Sequence, residues 1–259
     1  MDDDERSVLV TGGTGTLGRA LVHTLLDAGR PVRVLSRHER TPAVPDEVEW
    51  VVGDLLTGHG LREALHQVSA VVHCASAPRS PDDDLDAAVQ LLLACRSAHV
   101  PHLVYISIVG VDRVPYAYYR AKHRVEEIVE DGGVPWTILR TTQFHDFVAN
   151  LLDVLSRGPV ATVPAGVDDQ PIDVREVASR LAALVSAGPS GRVEDMGGPQ
   201  VLSTTELMRT YLAATGRRRR VWTVPFPAPV TAFRGGGHLA PDHAVGRLTF
   251  AEWIQARSR

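Results

Sequence analysis

In Val8-Leu9-Val10-Thr11-Gly12-Gly13-Thr14-Gly15-Thr16-Leu17-Gly18, three apolar residues run straight into a cluster of glycines and threonines. An amphipathic stretch follows to Ala28 and is closed by Gly29. The pattern is that of a buried strand, a tight turn and a helix. Gly12, Gly15 and Gly18 fall at GxxGxxG spacing, and Gly13, Gly15 and Gly18 also fit GxGxxG. In such a turn an early glycine makes the reversal. The middle one lets a pyrophosphate approach the backbone, and the last lets helix and strand pack closely. The helix start adds free N–H groups and a favourable dipole. The expectation is a dinucleotide site built from Gly12, Thr14, Gly15, Thr16, Leu17 and Gly18; the alternative is a tight turn that holds no ligand.

Outward from that turn, short apolar runs alternate with longer amphipathic ones. Strands are expected at Val32–Leu35, Val48–Val52, Ala70–Cys74, His102–Ile106 and Trp136–Leu139. Helices are expected near Leu61–Gln67, Leu85–Ala98 and Tyr118–Glu130, the last ended by Gly132-Gly133. Near-continuous apolar strands between helices indicate a parallel sheet covered on both faces, the doubly wound α/β architecture. Residues 1–141 are read as this core and 142–259 as remaining sheet elements with a small C-terminal substrate-binding cap. That second part is expected to hold helices at Phe144–Leu155, Val174–Ala187 and Thr204–Ala214, a strand at Val160–Val163, a rigid connector at Pro225–Pro229 and a mobile loop at Gly235–Gly237.

The strand ends narrow the choice of ligand. NAD sites usually place a carboxylate at the tip of the second strand. Here that tip reads Ser36-Arg37-His38-Glu39-Arg40. The Arg37 guanidinium suits a 2′-phosphate, with Arg40 as a second contact, so NADP(H) is expected over NAD(H). Asp54 and Leu55 after the third strand are further cofactor candidates, Asp54 as hydrogen-bond partner of the adenine. Ala75 and Ser76 after the fourth are small, as a cofactor lying across the sheet edge requires.

The chain has 27 basic residues, and a single one of them, Lys122, is lysine. It stands four residues after Tyr118. An ammonium and a guanidinium are not interchangeable beside a cofactor or a titrating tyrosine. An unperturbed tyrosine titrates at about 10 and exchanges protons poorly at neutral pH without help. A cation at i+4 on one helix lies on the same face. Tyr116 and Tyr119 are neighbours without that spacing.

Composition excludes other classes. The net charge of −4 makes no case for nucleic acid or an anionic membrane surface. Cys74 and Cys95 form no disulfide framework, and the acidic N-terminus is no signal peptide, so a soluble cytoplasmic protein is expected. No metal-ligand cluster and no GxSxG elbow is present. Asp82–Asp84 and the Arg217–Arg220 run are read as solvated segments. Gln143, Phe144 and His145 follow the sixth strand at its carboxyl end, where ligands bind in open α/β sheets, and are the substrate candidates.

Taken together, Thr11–Gly18, Gly53-Asp54-Leu55, Val104–Ser107, Tyr118–Lys122, Trp136–Arg140 and Gln170–Ala178 resemble the short-chain dehydrogenase/reductase superfamily, and more closely its atypical, NmrA-like NAD(P)-binding branch. The resemblance implies that Tyr118 protonates a carbonyl oxygen as hydride arrives. It also implies that Lys122 contacts the nicotinamide ribose and lowers the tyrosine pKa, and that Ser107 holds the substrate oxygen. The branch includes redox sensors without turnover, and dimers are common in the superfamily. Three departures stand out: Ser107 is followed by Ile108 rather than a second serine, Asp82–Leu85 occupies the neighbourhood where an asparagine is often found, and Thr141-Thr142-Gln143-Phe144 stands where a proline often follows the sixth strand. The expected function is NADPH-dependent reduction of a small carbonyl or quinone-like molecule, with an NADP(H)-binding sensor as the alternative.

Overall fold

A computed structural model describes residues 6–40, 44–77, 80–226 and 230–257. In chain order the elements are β1 (Val8–Thr11), α1 (Thr16–Asp27), β2 (Val32–Ser36), β3 (Glu49–Val52), α2 (Leu61–Ala64), β4 (Ala70–His73), α3 (Pro81–Ser97), β5 (Leu103–Ile108), α4 (Ala117–Asp131) and β6 (Trp136–Thr141). They continue with α5 (His145–Leu155), β7 (Val160–Pro164), β8 (Asp168–Asp169), α6 (Val174–Ala187), β9 (Gly191–Arg192), β10 (Leu202–Ser203), α7 (Thr204–Ala214), β11 (Arg220–Val224) and α8 (Phe250–Arg257). The chain forms two compact units interleaved in sequence. The first takes residues 1–107, 120–139 and 177–193; the second takes 108–119, 140–176 and 194–259.

The first unit carries a seven-stranded parallel sheet in the order β3-β2-β1-β4-β5-β6-β9. Its interior strand β1 is wholly buried because both sheet faces are covered. The strand order reverses between β1 and β4, the switch point at whose carboxyl end open α/β sheets bind ligands. Leu17, Leu21, Val22 and Leu25 form the buried stripe of α1. Leu9, Val71, Leu103 and Ile138 of the sheet pack with Leu91 and Cys95 of α3 and with Val125 and Val129 of α4. Each such leucine or valine contributes about 1.5–3 kcal/mol by leaving water.

Two expectations for this unit are corrected. The α2 helix ends at Ala64 rather than near Gln67, because Gln67 takes a left-handed backbone with φ of 54° and cannot continue it. Asp82–Asp84 is not a solvated loop: with Pro81 at the first helical position, these acids fill the first turn of α3, where a helix favours both.

The second unit packs Val148 and Leu152 of α5, Leu207 and Met208 of α7, and Phe250 and Trp253 of α8 into one core. A parallel β7–β11 pair and an antiparallel β8–β10 pair accompany them. Capping boxes at Ser203/Glu206 and Thr249/Glu252 start α7 and α8. Residues 227–229 of the expected proline connector lie outside the described residues. Within the expected loop at Gly235–Gly237, Gly237 is packed: a side chain on Gly110 would lie 2.2 Å from the Gly237 carbonyl, so the two backbones touch. Among the described residues no helix is long and apolar enough to cross a membrane.

Candidate active site

The turn after β1 is built around contacts that only glycine permits. Gly12 has φ of 70°, and a Cβ there would fall 2.6 Å from the Ala75 nitrogen. A Cβ on Gly18 would fall 2.1 Å from the Gly12 carbonyl oxygen. The Gly15 N–H donates to that same oxygen at 2.9 Å and closes the turn. Thr14, Gly15 and Thr16 are exposed at the start of α1, whose first turn holds no acid. The 12-residue helix therefore presents free amides and its positive end to solvent at the switch point. That arrangement fits a pyrophosphate.

The neighbouring strand ends match the expected cofactor set unevenly. Arg37 is exposed at the end of β2. Arg40 is committed elsewhere, since its guanidinium meets Asp46 at 2.7 Å and the Pro45 carbonyl at 2.8 Å. Asp54 is half-buried and accepts from the Leu56 N–H at 2.9 Å, and Leu55 packs against the core. Ala75 touches the Gly12 turn, and Ser76 donates to Asp84 at 3.4 Å.

Lys122 is buried because its position belongs to the inward stripe of α4, shared with Val125, Glu126 and Val129. Its Nζ donates to the Ile106 carbonyl at 2.9 Å and lies 4.3 Å from the centre of the Tyr105 ring. Burial pulls the ammonium down to about 8, opposed by Asp84, Cys74 and Glu126. His73 stacks on the same Tyr105 ring and hydrogen-bonds Thr11 at 2.7 Å, linking the ends of β4 and β1. Burial, with Lys122 adding to it, lowers His73 to about 3, so its ring is neutral. Burial pushes the Cys74 thiol up to about 12. Ser107, at the end of β5, is buried, and its hydroxyl has no hydrogen-bond partner among the described residues. An unpaired buried hydroxyl costs about 1–3 kcal/mol, which an added oxygen atom would relieve.

Within the second unit, Tyr118 is half-buried in the first turn of α4 and packs beside Val111, Val114 and Tyr119. Tyr119, passed over by spacing alone, is buried, and its hydroxyl accepts from Gln143 Nε2 at 2.8 Å. Burial, followed by the nearby Asp169 carboxyl, raises its phenol well above the usual range. Tyr116, Tyr119 and Phe233 meet edge to face with ring centres 5.5–6.0 Å apart. Burial raises Asp169 to about 6. Gln143 thus joins a polar and aromatic group that also includes Asp169, which the sequence pattern did not mark.

Phe144 is the residue before α5 and pairs its backbone with Ile172. His145 leaves the substrate set. Its ring is fully buried against Phe250 and Trp253, and Nε2 donates to the Leu248 carbonyl at 3.0 Å. Its task is to fix α8 to α5. Other family-like positions also prove structural: Arg140 pairs with Asp112 at 2.9 Å, and the buried Gln170 amide bridges to Gly198 and Ala240. No group of three metal-binding side chains occurs among the described residues.

The chain is 34% identical over 233 residues to the (4-alkanoyl-5-oxo-2,5-dihydrofuran-3-yl)methyl phosphate reductase of Streptomyces griseus, covering 87% of this chain and 79% of the relative. It is 27% identical over 235 residues to the NAD(P)H azoreductase of Xenophilus azovorans, covering 89% and 81%. Its fold superposes on the NADPH-dependent quinone oxidoreductase of Escherichia coli complexed with NADPH, with a TM-score of 0.83 at 17% identity over 97% of this chain and 100% of the other. A family model described as NAD(P)H-binding matches residues 12–188, from the glycine turn through α6. The chain therefore belongs to the NAD(P)H-binding family.

Proposed function

We propose that this protein is an NADPH-dependent reductase of a small carbonyl or quinone-like molecule, related to the NmrA-like branch. The observation that carries the reading is the burial of a cationic lysine, in a chain that otherwise uses arginine, one helical turn after Tyr118. A buried ammonium is costly, and such groups concentrate at functional sites. The names of the reductase relatives point the same way.

In this reading Gly12, Thr14, Gly15, Thr16, Leu17 and Gly18 hold the pyrophosphate on the amides of the first helical turn. Arg37 pairs with the 2′-phosphate, and Asp54, Leu55, Ala75 and Ser76 line the remaining length of the nucleotide. The bound nucleotide supplies hydride. Tyr118 gives its phenolic proton to the substrate oxygen, and the Lys122 ammonium stabilises the phenolate that results. The Ser107 hydroxyl, unpartnered in its own unit, holds the same oxygen. Gln143 and Phe144 belong to the substrate side, in residues 142–259. The free Cys74 and Cys95 suit the reducing cytoplasm.

A second reading, a nucleotide sensor without turnover, draws on the Lys122 ammonium being already satisfied by the Ile106 carbonyl and the Tyr105 ring. The separating experiment is NADPH oxidation against a panel of ketones, quinones and enones. Turnover that Tyr118→Phe abolishes supports the reductase. Tight NADPH binding with no turnover across the panel overturns it in favour of the sensor.

A further inference from the structure

The first turn of α3 contains an acid that does not behave as a helix-start acid. Asp82 and Asp83 remain partly or fully exposed, where they complement the helix dipole. Asp84 turns inward and is buried. Its carboxylate accepts hydrogen bonds from the Ala77 N–H and, at 3.4 Å, from the Ser76 hydroxyl. The segment it grips follows β4 at the switch point. The first residue of that segment, Ala75, presses its backbone against Gly12, where no Cβ would fit. A displacement of residues 75–77 therefore reaches the phosphate turn directly.

The same carboxylate is one of the charges that act on Lys122. The groups around that ammonium are Asp84 of α3, His73 and Cys74 at the end of β4, Tyr105 of β5 and Glu126 of α4. His73 is neutral and the Cys74 thiol is protonated, so neither balances the charge at neutral pH. Asp84 and Glu126 are the carboxyls left to do so. Burial raises the Asp84 carboxyl, and Lys122 is the foremost of the groups opposing that rise. Each of the two buried charges therefore depends on the other.

We propose that Asp84 is a positioning residue of the nucleotide site, fastening residues 75–77 against the phosphate turn and serving as the counter-charge of Lys122. This rests on the reading of Lys122 as a working cation. The chain's single lysine makes the test direct. Lysine labelled with ¹³C at Cε gives one lysine signal, whose pH titration reads Lys122 alone. The wild-type midpoint is expected near the value of about 8 given by its surroundings. In Asp84→Asn the midpoint falls by about one pH unit or more, and NADPH affinity measured by fluorescence at neutral pH drops about tenfold. Asp84→Glu, which keeps the charge, restores the midpoint even where affinity is only partly recovered. Weakened NADPH binding with an unmoved Lys122 midpoint reduces Asp84 to a structural hydrogen-bond acceptor and overturns the proposal. An unmoved midpoint with unchanged affinity overturns it as well. Wild-type protein that binds NADPH but reduces no substrate refutes the reductase reading alone, and the Asp84 result stands independently.

Discussion

The phosphate turn of the first unit and the aromatic group of the second are held by different means. Gly12, Gly15 and Gly18 are fixed by backbone against backbone, with no room for a single added carbon at Gly12 or Gly18. Tyr116, Tyr119 and Phe233 are fixed by ring contacts and by one amide from Gln143. Rings can repack around a change, whereas abutting peptide groups cannot. The first arrangement suits a ligand part that does not vary, a pyrophosphate.

The sharpest way to break that contrast is Gly18→Ala. A methyl group placed 2.1 Å from the Gly12 carbonyl forces the turn open. NADPH binding should weaken by roughly two orders of magnitude, and stability should fall by about 1–3 kcal/mol. Gly29→Ala is the control: Gly29 has φ of 72° but open space around it. It should cost about 1–2 kcal/mol in urea unfolding and leave NADPH affinity unchanged. Equal losses of affinity in both variants would mean that the turn responds to general destabilisation and not to its own geometry. On the second unit, Tyr118→Phe should lower turnover by roughly 10²–10⁴-fold while NADPH affinity stays within about twofold. Normal turnover in that variant would remove Tyr118 from the chemistry.

The same contrast explains what the sequence made legible. The glycine turn, the alternation of strands and helices and the Tyr118–Lys122 spacing depend on neighbours three to eight residues apart, and local periodicity reports those. The start of α3 was misread because a run of three aspartates resembles a solvated loop until Pro81 is taken as the first helical residue. Asp84 and Asp169 were missed for a different reason. Their surroundings are set by Lys122 and Tyr119, 38 and 50 positions away in the sequence. His145 was misplaced because a histidine at the start of a helix after a sheet strand has the same local pattern whether it faces a ligand or, as here, packs on Phe250 and Trp253.

Arg37 sharpens the comparison from the cofactor side. It is exposed, and its contact with a 2′-phosphate would be charge-assisted and partly screened. If Arg37 reads the 2′-phosphate as proposed, Arg37→Ala should lower NADPH affinity by about tenfold and leave NADH affinity nearly constant. Parallel fluorescence titrations decide it; equal losses for both nucleotides would show that Arg37 does not read the phosphate.

A further effect concerns stability against pH, and it tests whether the strand ends beneath the phosphate turn are as rigid as the geometry requires. His73 is lowered from 6.5 to about 3 by burial and then by Lys122, and it hydrogen-bonds Thr11 in its neutral form. The unfolded chain takes up the proton at the higher value. Between the two pKa values the unfolded state therefore binds more protons, and stability rises with pH across that window. The contribution is complete above about 6.5 and drains away as the pH falls toward about 3. His102, lowered to about 4 by burial, acts in the same direction over a narrower range. Urea unfolding from pH 7 to pH 4 should show a shallower loss of stability in His73→Gln than in the wild type, with Thr11 kept in a hydrogen bond by the amide. Parallel slopes for the two proteins would mean that the imidazole charges within the folded state, which requires the ends of β1 and β4 to part and admit water beside the phosphate turn.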